Sequence, residues 1–233
     1  MAKEKRVVMS VSGGADSSTM LAYLLSEGFE VHCVWFDYGS TQNPYEMKAI
    51  QAITDHYKVP LSIISIKDAM SDFKSALTRK QDIPEGYYNK DNMSATVVPA
   101  RNIVFISLAA GFAWSIDYNY VALAIHSGDH FVYPDTRPEF YNAMKEAIFE
   151  GTDKRITLLA PFLYYDKRDI IRKGLELNVP YELTRTCYKD QPVACGRCGA
   201  CVERLEAFWL NGAEDPIEYE DREYWKTVSK EYK

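Results

Sequence analysis

The 233-residue sequence lacks any apolar run long enough to span a membrane. It also lacks a long basic tract, and its net charge of -6 argues against a large nucleic-acid-binding surface, although a single tRNA contact patch is compatible with it. The opening segment, MAKEKRVV, has neither the long apolar stretch nor the cleavage site of a signal peptide. We therefore expect a cytoplasmic protein that acts on small molecules, without membrane binding and without direct nucleic-acid binding.

Internal repeats and low-complexity linkers are also missing, and a hydrophobic content of 47% is enough for one buried core. Runs rich in Val, Ile and Leu alternate with helix-like stretches. The predicted strands are Arg6–Val11, Glu30–Phe36, Leu61–Ile66, Tyr120–Ile125 and Ile156–Ala160, and the predicted helices are 16–27, 44–57, 101–116, 137–150 and 166–178. This alternation predicts an α/β fold, a parallel sheet with helices on both faces, over residues 1–180.

Two stretches depart from this pattern. The helix from Arg101, RNIVFISLAAGFAWS, is apolar on nearly every face, which predicts a deeply buried helix whose aromatic residues belong to the core. Between Met70 and Pro99 the periodicity fails, and Pro84 and Gly86 indicate irregular structure. That segment is either a functional lid or an ordinary surface loop, and the sequence leaves both open.

The chain contains neither a Walker motif nor Gly-x-Gly-x-x-Gly, so neither a P-loop nor a dinucleotide fold is indicated. Instead, the segment VSGGADSS at Val11–Ser18 follows a predicted strand and opens a predicted helix. Successive N–H groups of a glycine-rich turn form an anion-binding nest, and the helix N-terminus adds positive potential. Asp16 either caps the helix or holds a magnesium ion shared with the phosphates. We therefore interpret the segment as a phosphate site rather than as a plain strand-to-helix turn.

Cysteine is scarce outside one stretch. Cys33 stands alone in a predicted strand, whereas four cysteines fall within 15 residues, at Cys187, Cys195, Cys198 and Cys201. In a reducing compartment such clustering favours metal binding over disulfides. Structural zinc, an iron–sulfur cluster and free thiols are the alternatives, and the lack of a proline after the last cysteine favours zinc. We expect a small zinc-binding helical subdomain over residues 181–233, forming one compact unit with the rest.

Several motifs resemble known families. SGGADS resembles the SGGxDS signature of the PP-loop, or N-type, ATP pyrophosphatases, whose turn holds the pyrophosphate of ATP. In order along the chain, VWFDYGS, SALTR, TVVPARN, YPDTRPEF, APFLYYDKRDI and TCY…CGRCGAC are similar to segments of the 7-cyano-7-deazaguanine synthases. The resemblance runs from about Val7 to about Leu210, with Ser40, Ala100 and Thr136 departing from the commonest form. It implies an adenine nucleotide alpha hydrolase-like (Rossmann-like) fold and a homodimer.

The resemblance also implies a reaction, in which ATP, ammonia and 7-carboxy-7-deazaguanine give 7-cyano-7-deazaguanine. The carboxylate and then the amide oxygen are adenylated, and AMP and diphosphate leave. Mg²⁺ would accompany ATP. The expected ATP contacts are Val11, Ser12, Gly13, Gly14, Ala15, Asp16, Ser17, Ser18, Thr19, Phe36, Asp37 and Tyr38. The expected substrate contacts are Arg101, Asn102, Asp129, Tyr133, Asp135 and Arg137, and the expected catalytic residues are Asp16, Ser17, Arg101 and Lys167.

Other readings stay open at this point. His126 and His130 are either proton carriers or hydrogen-bonded loop residues. A variant of the enzyme could stop at 7-amido-7-deazaguanine. A PP-loop enzyme that modifies tRNA is a second alternative, and it would need a catalytic sulfur and a basic RNA-binding face. A nucleotide-sensing module, which would bind AMP without turnover, is a third. No glutaminase segment is recognisable, which implies free ammonium or a separate partner as the ammonia source.

Overall fold

A single parallel sheet organises the protein. The computed structural model describes residues 4–79 and 81–232. Its strands are β1 (Arg6–Ser10), β2 (Glu30–Asp37), β3 (Leu61–Ser65), β4 (Tyr120–Ala122) and β5 (Thr157–Leu159). They pair in the order β3-β2-β1-β4-β5, with every pairing parallel. The chain builds outward from β1 on one side and then returns to β4 on the other, and ligands of such sheets bind at this switch point, beyond the carboxyl ends of the strands.

The helices confirm the alternating pattern. Within the described residues they are α1 (Ala15–Ser26), α2 (Asn43–Tyr57), α3 (Lys67–Met70), α4 (Lys90–Met93), α5 (Arg101–Ser115), α6 (Pro138–Gly151), α7 (Lys167–Glu176), α8 (Gly199–Leu210) and α9 (Tyr224–Val228). Short 3-10 turns lie at Ser94–Thr96, Ser127–Asp129, Pro134–Thr136 and Tyr181–Leu183. All five predicted strands and all five predicted helices are present, with ends shifted by at most three residues.

Helices cover both faces of the sheet because successive strand residues point to opposite sides. Val7 and Met9 pack with α1, α2 and α7 in one buried cluster. Val8 packs with α5 and α6 in another. The fold predicted from the sequence, an α/β sheet covered on both faces, is thus confirmed.

Helix α5 corrects one prediction, because it is not deeply buried on every side. Its small residues Ala109, Ala110 and Ala113 pack on the sheet. The opposite face carries Ile103, Leu108 and Trp114, which are 42%, 36% and 41% exposed. Trp114 is therefore not a core aromatic residue, and the Arg155 guanidinium lies 5.0 Å from its ring centroid. Since both faces are apolar, the sequence alone could not tell the packed face from the exposed one.

A membrane span sets two requirements for a helix, its length and its apolarity. No single helix of the described residues meets them. Residues 90–96 and α5 do so only when taken together, as a pair bent by 51°.

The irregular segment between Met70 and Pro99 is partly built into the protein. Met70, Leu77 and Val98 are buried beside Tyr38. Tyr88 and Met93 form a second buried group with Val132 and Tyr133. An ordinary surface loop would not bury these side chains, so this segment forms one wall of the region beyond the strand ends.

The carboxyl-terminal part packs onto the sheet domain through α8. Phe208 of α8 shares a buried cluster with Ala22 of α1 and Ile171 of α7. Inside this part, Arg204 and Asp215 form a fully buried ion pair at 2.6 Å. The Arg204 guanidinium also donates to the hydroxyls of Thr184 and Thr186, at 2.7 and 3.0 Å. Thr184 and Thr186 belong to the segment that approaches the strand ends, and this segment is thereby anchored to α8.

Candidate active site

A cleft lies beyond the carboxyl ends of β1, β2 and β4. Among the residues expected to bind ATP or substrate, or to act in catalysis, those that line it are Val11, Ser12, Gly14, Ala15, Asp16, Ser17, Phe36, Tyr38, Arg101, Asn102, Asp129, Tyr133 and Lys167. Those that do not line it are Gly13, Ser18, Thr19, Asp37, Asp135 and Arg137. The fold thus brings together residues that are up to 156 positions apart, from Val11 to Lys167.

The glycine-rich turn is shaped by close backbone contacts. Gly13 has a φ of +69°, and a Cβ there would lie 2.9 Å from the Cβ of Ala49. The Gly13 carbonyl accepts a hydrogen bond from the Arg185 backbone N–H at 2.8 Å. The Ser12 and Ser17 hydroxyls lie 3.2 Å apart, and the Ser12 N–H donates to the Ser17 hydroxyl at 3.3 Å. A larger residue at Gly13 cannot fit, so the close approach of α2 fixes the shape of the turn.

Four predicted ATP residues lie outside the cleft lining, one of them Gly13. Ser18 is fully buried, and its hydroxyl has no hydrogen-bond partner among the described residues. Thr19 lies 2.7 Å from the Tyr181 hydroxyl, which ties α1 to the carboxyl-terminal part. Asp37 accepts from Asn43 at 2.5 Å and pairs with Lys67 at 2.7 Å. Thr19 and Asp37 thus bond to neighbouring elements, and the contact of these residues with ATP stays a prediction.

Two predicted substrate residues also lie away from the cleft. The Asp135 carboxylate accepts from the Asn102 backbone N–H, and its carbonyl accepts from the Asn102 side chain, both at 2.9 Å. Asp135 therefore holds the first turn of α5, next to Arg101. Arg137 is exposed and donates to the His130 carbonyl at 2.8 Å.

Charged side chains from distant elements meet at the cleft floor. The Lys167 Nζ lies 2.8 and 2.6 Å from the two carboxylate oxygens of Asp16, and 3.2 Å from Oε2 of Glu203. The His126 Nε2 lies 3.6 Å from Asp16 Oδ2 and 3.5 Å from Asp129 Oδ2. Asp16 does not cap α1, because Gly14 occupies the N-cap position without a side-chain hydrogen bond.

These contacts set the charge of each group. Burial opposes ionisation of Asp16, but Lys167 and His126 outweigh it and hold the pKa of the carboxyl below its usual range. Burial also disfavours the Lys167 ammonium, yet Asp16 and Glu203 raise its pKa above the ordinary value. For His126, burial and Lys167 act against Asp129 and Asp16, and the pKa rises to about 9. The floor therefore holds two cations among three carboxyl groups at neutral pH.

The wall formed by β2 and α5 combines flat rings with a second charged group. The Phe36 and Phe105 rings stack with centroids 4.6 Å apart, and the Arg101 guanidinium lies 5.9 Å from the Tyr38 ring centroid. Burial raises the pKa of Glu46 to about 7, against the opposing charges of Arg101 and Arg185. Stacked rings beside a cation suit a flat heterocycle that carries negative charge.

The far end of the cleft is lined by tyrosine hydroxyls. Tyr88 donates to Asp129 at 2.5 Å. The Tyr133 hydroxyl lies 2.7 Å from the Thr96 hydroxyl. Both tyrosines are 7% exposed, so their rings are packed and their polar ends are held in fixed places.

The four clustered cysteines meet as the spacing predicts. Their sulfur atoms all lie within 4.8 Å of one another, and all four residues are buried. Tetrahedral zinc with bonds of about 2.3 Å places its sulfurs about 3.8 Å apart. The Cys195–Cys201 and Cys198–Cys201 sulfur distances are 4.0 and 3.5 Å, and the Cys198 N–H points at the Cys195 sulfur at 3.2 Å. The group could therefore bind one metal ion such as zinc, and an iron–sulfur cluster would need sulfurs farther apart.

Sequence reasoning missed several side chains of the cleft, among them Glu46, Tyr88, Arg185 and Glu203. Each lies in a helix or loop without a recognisable motif, and its role depends on the partner that the fold supplies. Glu203 follows Cys201 by two positions, so its link to the metal loop was visible in the sequence but its contact with Lys167 was not. For His126, the sequence allows two roles, a proton carrier and a hydrogen-bonded loop residue.

Comparison with known proteins gives a consistent result. The family model described as "Queuosine biosynthesis protein QueC" matches residues 6–212. The chain is 43% identical over 219 residues to a 7-cyano-7-deazaguanine synthase of Pseudoalteromonas atlantica, covering 93% of this chain and 99% of that protein. It is 42% identical over 216 residues to the 7-cyano-7-deazaguanine synthase of Methanoregula boonei, covering 92% and 99%.

Among solved structures, the chain is similar to the NMN synthetase of Francisella tularensis, with a TM-score of 0.48 and 15% identity over 98% of this chain and 87% of that one. The family model and the curated relatives span nearly the whole α/β domain and the cysteine loop. The chain therefore belongs to the QueC family of queuosine biosynthesis proteins.

Proposed function

We propose that this protein is a 7-cyano-7-deazaguanine synthase, which uses ATP and ammonia to convert 7-carboxy-7-deazaguanine into the nitrile. One observation carries the proposal. The Lys167 ammonium lies 2.6 Å from Asp16, directly at the glycine-rich turn, in a chain whose family members bear this name. A fixed cation beside an anion-binding turn is what transfer of an adenylyl group requires, because negative charge must be balanced as pyrophosphate leaves.

The chemistry needs activation of a poor leaving group. Ammonia does not displace an oxygen from a free carboxylate, whereas AMP on that oxygen is a good leaving group. After the amide forms, a second ATP activates the amide oxygen, and departure of AMP leaves the nitrile. The site must therefore bind phosphate anions, exclude water and hold two flat heterocycles.

The cleft offers a group for each task. The backbone amides of the turn, with the Ser12 and Ser17 hydroxyls, would hold pyrophosphate. Lys167 and Arg101 would balance charge on the phosphates and the carboxylate. The stacked rings of Phe36 and Phe105 would form one wall of a base pocket, and Asp129 with Tyr133 would face the deazaguanine edge.

Metal ions would have separate tasks. Mg²⁺ would arrive with ATP, and the carboxylate of Asp16 offers the oxygen ligands that Mg²⁺ prefers, at the phosphate turn. Zinc held by Cys187, Cys195, Cys198 and Cys201 would stabilise the loop that carries cleft residues, and four thiolates leave no position for substrate. Its role would therefore be structural.

We further propose a cytoplasmic homodimer, with an α/β domain over residues 1–180 and a metal-binding subdomain over 181–233. Four thiols that must stay reduced to hold a metal suit a reducing compartment. The exposed apolar side chains of α5, Ile103, Leu108 and Trp114, offer a surface that a second copy could cover. Sedimentation of wild type and Leu108→Glu tests the dimer.

The function is tested by incubating the protein with 7-carboxy-7-deazaguanine, ATP, Mg²⁺ and ammonium. We expect AMP, diphosphate and a product with the mass and infrared stretch of a nitrile. Accumulation of 7-amido-7-deazaguanine would identify a variant that stops at the amide. Release of ADP, or an unconsumed carboxylate, would contradict the proposal, and unchanged ATP would instead favour a nucleotide-sensing module.

A further inference from the structure

The segment that joins the first two clustered cysteines closes around one side chain. Arg185 lies two positions before Cys187, and its guanidinium donates to three backbone carbonyls of that segment. They are the carbonyls of Lys189 and Gln191, both at 2.8 Å, and of Pro192, at 3.3 Å. The donors of a guanidinium lie in one fixed plane, so the carbonyls that converge on it hold the segment in one shape.

The backbone of the same residue is bonded to the glycine-rich turn. The Arg185 N–H donates to the Gly13 carbonyl at 2.8 Å, and the Arg185 carbonyl oxygen would lie 3.4 Å from a Cβ at Gly14. The guanidinium also lies 4.7 Å from the ring centroid of Tyr45, in the first turn of α2. Since α2 is the helix that packs against Gly13, one residue contacts the turn, its neighbouring helix and the cysteine loop.

The four-cysteine group controls both ends of the segment that Arg185 holds. The Cys187 sulfur accepts from the Cys195 N–H at 3.4 Å, so the two ends already meet. A metal ion bound by both sulfurs would fix these ends, whereas crowded thiolates without a cation repel one another. The carbonyls that receive the Arg185 guanidinium therefore keep their places best when the metal is bound.

We propose that Arg185 is a positioning residue that couples the four-cysteine metal site to the glycine-rich turn, so that bound metal and bound ATP favour one another. The metal orders the segment, the segment holds the guanidinium, and the Arg185 backbone N–H then holds the Gly13 carbonyl. ATP at the turn acts on the same contacts in the opposite direction, because coupling between two binding sites is reciprocal. The proposal rests on the proposed function for the identity of the ligand at the turn.

The first test is Arg185→Lys, which keeps the charge but replaces the planar fork by a single ammonium. We expect the KM for ATP to rise about tenfold while kcat stays within about threefold, because the hydrogen bonds that shape the turn are lost and the reacting groups remain.

The matched control is Arg197→Lys, the same change within the cysteine loop. Arg197 is exposed and pairs with Asp221 at 3.2 Å, away from the turn. Its KM for ATP and its kcat should both stay within about twofold of the wild type. Equal metal content in the three proteins shows that each variant has folded. An Arg197→Lys that loses as much as Arg185→Lys would overturn the assignment to Arg185.

Zinc affinity separates positioning from direct contact with ATP, because Arg185 also lines the cleft. It is measured by competition with a chelator, with and without Mg²⁺ and saturating α,β-methylene-ATP, an analogue that cannot release pyrophosphate. The analogue should tighten zinc binding about tenfold in the wild type and in Arg197→Lys, and less than about twofold in Arg185→Lys. Zinc bound by the free analogue cancels in this comparison. If the analogue binds but leaves the zinc affinity of the wild type unchanged, the coupling is overturned.

A third measurement needs no nucleotide. The protection factor of the amide at position 185, which donates to Gly13, should be about tenfold lower in zinc-loaded Arg185→Lys than in the wild type, and unchanged in Arg197→Lys. If the wild type does not bind the analogue but this difference is present, the proposed function fails and the link between metal loop and turn stands. Equal protection in the wild type and Arg185→Lys overturns the link.

Discussion

The glycine-rich turn and the cysteine loop both reach the same cleft, but they are held in place in different ways. The turn is fixed by its neighbours, with Gly13 against α2 and its carbonyl bonded to Arg185. The cysteine loop has four buried thiols as its centre, and thiolates crowded together repel one another without a cation. One region is therefore built by packing of the sheet domain, whereas the other depends on a ligand.

Metal removal should have the largest effect, and it tests most directly whether the cysteine loop depends on a ligand while the turn does not. Cys198→Ser, or a strong chelator, should unfold the loop and lower the free energy of unfolding by at least about 5 kcal/mol, since structural zinc in small domains contributes about 10 kcal/mol or more. Activity should be lost with it, because Arg185 and Glu203 flank the loop. Metal analysis measures the bound ion, calorimetry measures the loss of stability, and hydrogen exchange measures the unfolding of the loop.

The matched control is the lone cysteine in β2. Cys33→Ala removes a buried thiol without touching the metal group, so the metal content should stay unchanged. An apo-protein that keeps full stability and activity would show that the four thiols need no ion.

Lys167 tests the junction of the two regions, because it contacts Asp16 of the turn helix and Glu203 of α8. Lys167→Gln should lower kcat by about 100-fold to 1000-fold, the size of effect seen when one preorganised group at a developing charge is removed. Lys167→Arg keeps the charge but moves its donors, so it should retain most of the Tm and still lose more than about tenfold in kcat.

The same helix supplies the control for that change. Lys173 pairs with Glu176 at the surface, where such pairs contribute about 1 kcal/mol or less. Lys173→Gln should leave kcat unchanged. Equal losses in both variants would mean that α7 responds to any change of charge and that Lys167 has no special role.

The two regions also differ in how much the sequence reveals. The turn and the cysteine spacing are local patterns, so both were predicted from a few adjacent residues, and the sheet followed from the alternation of apolar runs. The contacts of Glu203 with Lys167 and of Tyr88 with Asp129 join residues that are far apart, and no local pattern encodes them. The two faces of α5 were indistinguishable because Trp114 and Ala113 are equally apolar neighbours in the sequence while only one of them is buried.

A glycine comparison tests whether packing fixes the turn. Gly13 and Gly28 both have left-handed backbones, with φ of +69° and +77°. A Cβ at Gly28 meets nothing within 4 Å, whereas at Gly13 it meets Ala49 at 2.9 Å. Gly28→Ala should lower the free energy of unfolding by about 1 kcal/mol through the backbone alone. Gly13→Ala should lower it by about 2 kcal/mol more and should also raise the KM for ATP. Equal losses in urea unfolding would mean that the contact with α2 does not shape the turn.

The last prediction concerns the pH dependence of stability at the floor where the two regions meet. Burial and Lys167 lower the pKa of His126, but Asp129 and Asp16 raise it to about 9 in the folded protein, from 6.5. Because the folded state holds this proton more tightly, His126 contributes its full stabilisation below about pH 6.5 and loses it as the pH rises through about 9. The free energy of unfolding should therefore fall by about 3 kcal/mol between these values, because each unit of pKa shift corresponds to about 1.4 kcal/mol. His126→Gln should flatten the curve because its amide does not titrate. A wild-type curve that is as flat as that of His126→Gln would mean that the two carboxylates do not hold an imidazolium, and the turn and α8 would then be joined through Lys167 without His126.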